Sequence, residues 1–250
     1  MATTGPPGQG AGGGRIHRAA PPNRRDRAKA RTRTALIQAA QRLIVEGQQH
    51  APILEITQAA DVGLGSFYNH FESRDALFAA ATEEALESVG LLLDQLSAGL
   101  PDPAEVFAQG FRLTGRLFRS EPLLMQVALS RGPALLQATR GLVPRARRDL
   151  NAGICSGRFT VRDTQVALAI VVGTALCVGE LLRDQPTRDA GATADTAAAA
   201  LLRALGLSAE DAERIAAQPL PRLDVDFVGG QRTPSRRETQ AVNVRSGANH

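Results

Sequence analysis

Between positions 64 and 74 the chain gathers side chains that can hydrogen-bond phosphates and base edges. Tyr68, the single tyrosine of the 250 residues, is followed by Asn69 and His70, preceded by Ser66, and joined four residues after His70 by Arg74. On a helix, Gly65 and Asn69 share one side with Ser66 and Tyr68 flanking them, while Phe67 and Phe71 fall four apart on the other. The phenylalanines read as an anchor to Ile56, Ala60 and an earlier helix. The opposite side reads as a contact surface, where Gly65 admits close backbone approach and the polar groups supply donors and acceptors. Two helices joined by the short turn 61–63, the second with such a face outward, have the form of a helix-turn-helix suited to a DNA major groove.

Other chemistries find little support. His17, His50, His70 and His250 are scattered without metal-ligand spacing, and no nucleophile–base pair or cluster of paired carboxylates is evident. No enzyme activity, metal or cofactor is therefore expected. Cys155 and Cys177 are too few for a disulfide framework; they read as small core residues in a reducing compartment. The glycine run within 8–14 lacks the strand and helix that a phosphate-binding loop needs and reads as low complexity. The longest apolar run, 166–179, is too short to span a bilayer, and no charged start followed by an apolar stretch marks a secretory signal. The expectation is a cytoplasmic protein without a membrane partner.

The elements that must hold the contact face are helical throughout. From about Arg31 an apolar face runs through Leu36, Ala40, Leu43 and Ile44 to a stop at Gly47. Pro52 opens the next helix; a short one covers 64–70, and Ser73 caps a long one over 74–97. Asp102-Pro103 opens a helix with Phe107, Phe111, Thr114 and Phe118 on one stripe. Pro122 and Pro133 mark two shorter pieces, with Pro144 ending or kinking the second. Asp163 caps an apolar helix at 164–183, followed by helices at 193–205 and about 208–217. The fold class is all-α, with nine or ten helices.

The segment 31–78 resembles the DNA-binding domain of the TetR family of transcriptional regulators. The family pattern runs roughly Ile-Ala-x-x-Ala-Gly-Val-Ser-x-Gly-Thr-x-Tyr-x-His-Phe, then a lysine and a hydrophobic pair. Ile56, Ala60, Val62, Gly65, Tyr68, His70, Phe71, Leu77 and Phe78 all fall in register. Thr57 and Asp61 replace the usual Ala and Gly. Gly63 replaces the Ser that caps the recognition helix, at a cost of only about a few tenths of a kcal/mol. The resemblance implies that Leu64, Gly65, Ser66, Tyr68, Asn69, His70 and Arg74 face double-stranded operator DNA, with Ile56, Ala60, Val62, Phe67 and Phe71 as core. It implies a three-helix homeodomain-like helix-turn-helix domain over 29–90 (motif about 52–71), then a helical ligand-binding and dimerisation domain over 91–218. The helix 164–183, apolar on nearly all sides, needs cover as a core helix or in a two-fold interface with 193–205; the family solution is the latter, a homodimer. It implies further that ligand moves helix 74–97 and changes the separation of the two recognition helices, as in a repressor released by a small apolar ligand. Phe107, Phe111, Phe118, Leu124, Met125 and Leu129 can line the apolar cavity or pack as plain core.

Charge sharpens the picture. Residues 1–33 hold seven arginines and Lys29 against Asp26, whereas 31–78 holds four arginines against five acids. The termini 1–28 and 219–250 read as disordered basic segments, the first rich in Gly and Pro. The cluster Arg24, Arg25, Arg27, Lys29, Arg31 and Arg33 either reaches DNA as a basic arm or merely solubilises the chain, and Arg31 and Arg33 are placed at the DNA. The competing function is a non-specific, architectural nucleic-acid binder that uses its Arg-rich ends.

Overall fold

The computed structural model describes residues 23–223. Among them are ten α-helices and one 3-10 helix and no strand, the all-α architecture expected. α1 (Arg24–Val45), α2 (Ile53–Ala59) and α3 (Leu64–Tyr68) share one hydrophobic cluster with the start of α4 (Arg74–Ser97). Leu36, Ile37, Ile44, Ile56, Phe67 and Leu77 are its largest fully buried members. α5 (Pro103–Ser120), α6 (Pro122–Ser130), α7 (Leu142–Cys155), α8 (Thr164–Asp184), α9 (Ala190–Ala204) and α10 (Ala209–Ala216) build the rest.

α4 links the two parts. Its Leu77, Phe78 and Ala81 pack in the N-terminal cluster; Ala85, Leu86, Val89 and Leu93 pack in a second one with α5, α6 and α8. α6 wedges between them, with Leu123 and Val127 against the first cluster and Leu124, Met125 and Ala128 in the second. A third cluster unites α5, α7, α8, α9 and α10.

Local capping follows the sequence. The side chains of Ser73, Asp102 and Asp163 accept hydrogen bonds from the backbone N–H groups of Ala76, Ala104 and Gln165 at 3.1, 2.9 and 2.8 Å. Gly47, at φ +74°, ends α1 with its N–H donating to the Ile44 carbonyl. Asp61, where the family pattern has Gly, is the only non-glycine residue at positive φ among the described residues (+53°).

Four expectations need correction. α1 begins at Arg24, well before Arg31 and inside the segment read as a disordered arm; Asn23 caps it by accepting from the Asp26 N–H at 2.9 Å. Residues 24–34 bury no side chain, so hydrophobic periodicity could not reveal them. The expectations for 1–22 and 224–250 lie outside the described residues. Pro144 neither ends nor kinks a helix: it sits in the first turn of α7, where its missing N–H has no intrahelical partner to lose. Cys155 and Cys177 are exposed, not core, at the C-terminal end of α7 and on the outer side of α8. α8, at 21 residues, is long and apolar enough by length and composition to cross a membrane, unlike the uninterrupted run inside it. It buries one side against α5, α6, α7 and α9 and leaves Val166 and Ile170 about half exposed, so in the single chain its second face is uncovered.

Candidate nucleic-acid interface and ligand cavity

α3 is too short to hold itself together, and its anchor is aromatic. Phe67 is fully buried and Phe71 nearly so, and Tyr68 meets the Phe67 ring edge-on at 5.3 Å between centroids. The turn before α3 is closed by the Val62 N–H donating to the Thr57 carbonyl at 3.0 Å. Thr57 is itself buried and donates its hydroxyl to the Leu54 carbonyl at 2.9 Å, so the extra oxygen at this position has a partner. On α1, Arg42 donates to the Ala59 carbonyl at 2.8 Å and closes the C-terminal end of α2.

With the anchor buried, Leu64, Gly65, Tyr68 and Asn69 are exposed, Tyr68 by 61 %, and Ser66 and His70 are half-buried. Gly63 caps α3 without a side-chain bond. A Cβ added at Gly65 would meet nothing within 4 Å, so no packing in the free protein demands glycine there. The basic N-terminal turns of α1 lie beside this face. The Arg33 guanidinium stacks over the Phe71 ring at 5.2 Å from its centroid, and Arg31 is exposed. Partial burial, and then the nearby charges of Lys29 and Arg33, hold the His70 imidazole below its ordinary value. Arg74 is half-buried and engaged within the protein: Nη1 donates to the His50 carbonyl at 3.1 Å, and Nε and Nη2 to Asp75 Oδ1 at 3.3 Å. It ties the start of α4 to the loop before α2.

Between α4, α5, α6, α7 and α8 lies a cavity of about 140 Å³. Phe107, Phe111, Phe118, Met125 and Leu129 line it; Leu124, its neighbour on α6, is buried in the second cluster without reaching the cavity. Thr114, on the phenylalanine stripe of α5, lines it too; the sequence reading missed other polar residues of the wall, among them Asp94, Arg145, Arg148 and Asp149. Arg145 Nε donates to Asp94 Oδ2 at 2.9 Å, while Arg148 bridges Asp94 Oδ1 and Asp149 Oδ1, both at 2.7 Å. Burial pushes the Asp149 carboxyl up, against the lowering effect of Arg148. Glu87, about two turns before Asp94 on α4, takes Arg145 in two bonds of 3.0 Å and the Gly141 N–H at 2.6 Å. Those bonds, the Arg145 side chain first, hold its carboxyl down at about 2. Carboxylates are thus brought together after all, but each is neutralised by arginine. Reading Pro144 as a helix end or kink concealed α7, and with it the arginines that meet these acids.

Among the described residues no group of His, Cys, Asp and Glu is placed to hold a metal ion. A short aromatic-anchored helix with a polar exposed face, carried on a three-helix cluster and joined by one long helix to a cavity-bearing helical body, defines a helix-turn-helix regulator. Residues 36–81 match the family model for bacterial regulatory proteins of the tetR family, and residues 102–218 match a tetracyclin repressor-like C-terminal domain. The crystal structure of RolR in complex with its ligand resorcinol is 37 % identical, covers 78 % of this chain and 98 % of its own, and superposes with a TM-score of 0.68. RolR without ligand gives 37 % identity, coverage of 75 % and 97 %, and a TM-score of 0.65. The fatty acid degradation regulator FadR from Bacillus halodurans shares the fold at 20 % identity, with coverage of 68 % and 94 % and a TM-score of 0.52. No significant match is found among curated proteins. The chain belongs to the TetR family of DNA-binding transcriptional regulators.

Proposed function

We propose that this chain is a dimeric, sequence-specific repressor released from its operator by a small hydroxylated aromatic ligand. The observation that carries the DNA part is the split of α3 into a buried face (Phe67, with Phe71 beyond) and an exposed one (Leu64, Gly65, Tyr68, Asn69). Ser66 and His70 flank the exposed face, and the helical basic turns 24–33 supply phosphate contacts beside it, Arg31 and Arg33 included. Arg74 acts first by fixing α4. The two-fold interface forms from the uncovered side of α8, where Val166, Ile170 and Cys177 are exposed, together with α9.

The ligand class follows from the cavity walls. Three phenylalanines and Met125 offer flat apolar surface, and a space of about 140 Å³ is close to the roughly 150 Å³ apolar cavity that holds benzene in an engineered protein. The Asp94, Arg145, Arg148 and Asp149 cluster at the wall offers both donors and acceptors to ring hydroxyls. RolR's resorcinol, a benzene ring with two hydroxyls, has this chemistry.

The test is a fluorescence-anisotropy titration on DNA recovered by genome-wide capture, against scrambled DNA at the same salt. A regulator binds its site about a thousandfold or more tighter than scrambled DNA, and Tyr68→Ala removes that preference while folding normally. Equal affinity for both DNAs supports the architectural binder instead.

A further inference from the structure

α4 carries a notch filled by α7. Glu87, Gly90 and Asp94 lie along one side of α4, and the Arg145 guanidinium lies flat across that side, bonded to Glu87 at one end and to Asp94 at the other. A Cβ at Gly90 would stand 2.5 Å from Arg145 Nε, Cζ and Nη1, so the glycine is what lets the guanidinium lie against the helix. The contact is doubled at the start of α7. Glu87 accepts the Gly141 N–H, Arg145 Nη1 donates to the Gly141 carbonyl at 2.8 Å, and a Cβ on Gly141 would come within 3.3 Å of Leu86.

Two further facts give the notch a direction. α4 starts directly after α3, so its position sets where the exposed face of α3 stands. Arg145 and Asp94 reach the cavity wall, whereas Glu87 and Gly90 do not. The same guanidinium therefore has a cavity-facing partner and a partner hidden from the cavity.

We propose that Glu87 and Gly90 form a latch for Arg145 that holds α4 in its DNA-competent position, and that ligand acts by drawing Arg145 out of the notch. The inference rests on the cavity being the effector site. A hydroxyl seated at Asp94 and Arg145 competes with the α4 side of the guanidinium. A ligand shifts an equilibrium only by its difference in affinity for the two states, and a shared arginine supplies that difference. Weakening the latch lowers the population of the DNA-competent state and raises that of the ligand-competent one, so operator binding weakens while ligand binding strengthens.

The experiment measures operator affinity of the full chain and its Gly90→Ala and Glu87→Gln variants, without ligand and with resorcinol as probe, beside thermal melts. Gly90→Ala displaces the guanidinium by bulk and Glu87→Gln weakens its bond while keeping side-chain shape, so the second remains informative if the first fails to fold. Both variants are expected to lose fivefold or more in ligand-free operator affinity, within the usual 5–150-fold range of allosteric coupling. Glu84→Gln, on the same helix and away from Arg145, stays at the wild-type value. Wild-type operator affinity in a folded Glu87→Gln variant overturns the latch, as does loss of resorcinol binding in a folded variant that keeps its operator. If resorcinol fails to shift the melting of the wild-type protein, the cavity reading falls, while the ligand-free affinities still decide whether the notch sets α4.

Discussion

Gly65→Ala separates the demands of folding from those of DNA at one atom. The site is the second residue of α3, and the added methyl meets nothing within 4 Å in the free protein. Alanine is favoured over glycine in a helix interior by about 0.8–1 kcal/mol. Near the end of a five-residue helix roughly half of that applies, so stability should rise by about 0.5 kcal/mol and Tm by about 1–2 °C for a chain of this size. If α3 reads DNA as proposed, the same methyl stands where backbone must approach bases or phosphate. A lost contact of about 1–3 kcal/mol in each of two half-sites amounts to about 2–6 kcal/mol, hence about thirtyfold or more in affinity. Differential scanning calorimetry reads the first quantity, and anisotropy on the captured operator at fixed salt reads the second. The expected signature is opposite signs: a slightly stabler protein that binds its operator much more weakly. Unchanged affinity would refute close approach at Gly65, and a drop in Tm would show that the glycine serves the fold.

Three other perturbations probe separate parts of the molecule. Asp61→Gly relieves a side chain held at φ +53°; after the greater freedom of glycine in the unfolded chain is subtracted, a gain of about 0.5 kcal/mol is expected by thermal melt, and a marked loss would show that the carboxylate is needed. The Glu87 carboxyl is held well below its ordinary 4.5, so its stabilisation is complete above that value and is lost as pH falls towards about 2; the Tm gap between wild type and Glu87→Gln should be constant above about pH 5.5 and close on acidification, and a gap that persists at pH 2 contradicts the pairing. Ile170→Asp places a carboxylate on the half-exposed side of α8, tolerable in a monomer and costly in an apolar interface, so light scattering should report a single-chain mass with helicity intact; a persistent dimer would move the interface elsewhere.

The legibility of the sequence divides along burial. Phe67, Phe71 and Ile56 could be placed because a buried stripe imposes its period on the chain, and Ser73, Asp102 and Asp163 because a cap is a local exchange of one side-chain oxygen for one N–H. Asp61 was visible as a departure from the family pattern, but its strain appears only with the backbone angle. The first turns of α1 carry no buried residue and so leave no periodic trace; they are held by Asn23 and by continuity with the helix that follows. The cavity was half legible. Its phenylalanines stood out on one stripe of α5, whereas its polar wall depends on α4 and α7 meeting across more than fifty residues, a long-range pairing that no local pattern encodes. Pro144 compounded the difficulty, since proline in a first turn and proline as a breaker look alike in sequence.

Under the proposed function, two copies of α3 read a two-fold symmetric DNA site. A DNase I footprint of the full chain on its captured operator tests it most directly. Two protected half-sites of inverted sequence are expected on one face of the duplex, centred about 34–36 Å or a multiple of it apart, both lost with Tyr68→Ala. Protection that spreads without boundary along any DNA, or one that survives Tyr68→Ala unchanged, would contradict it.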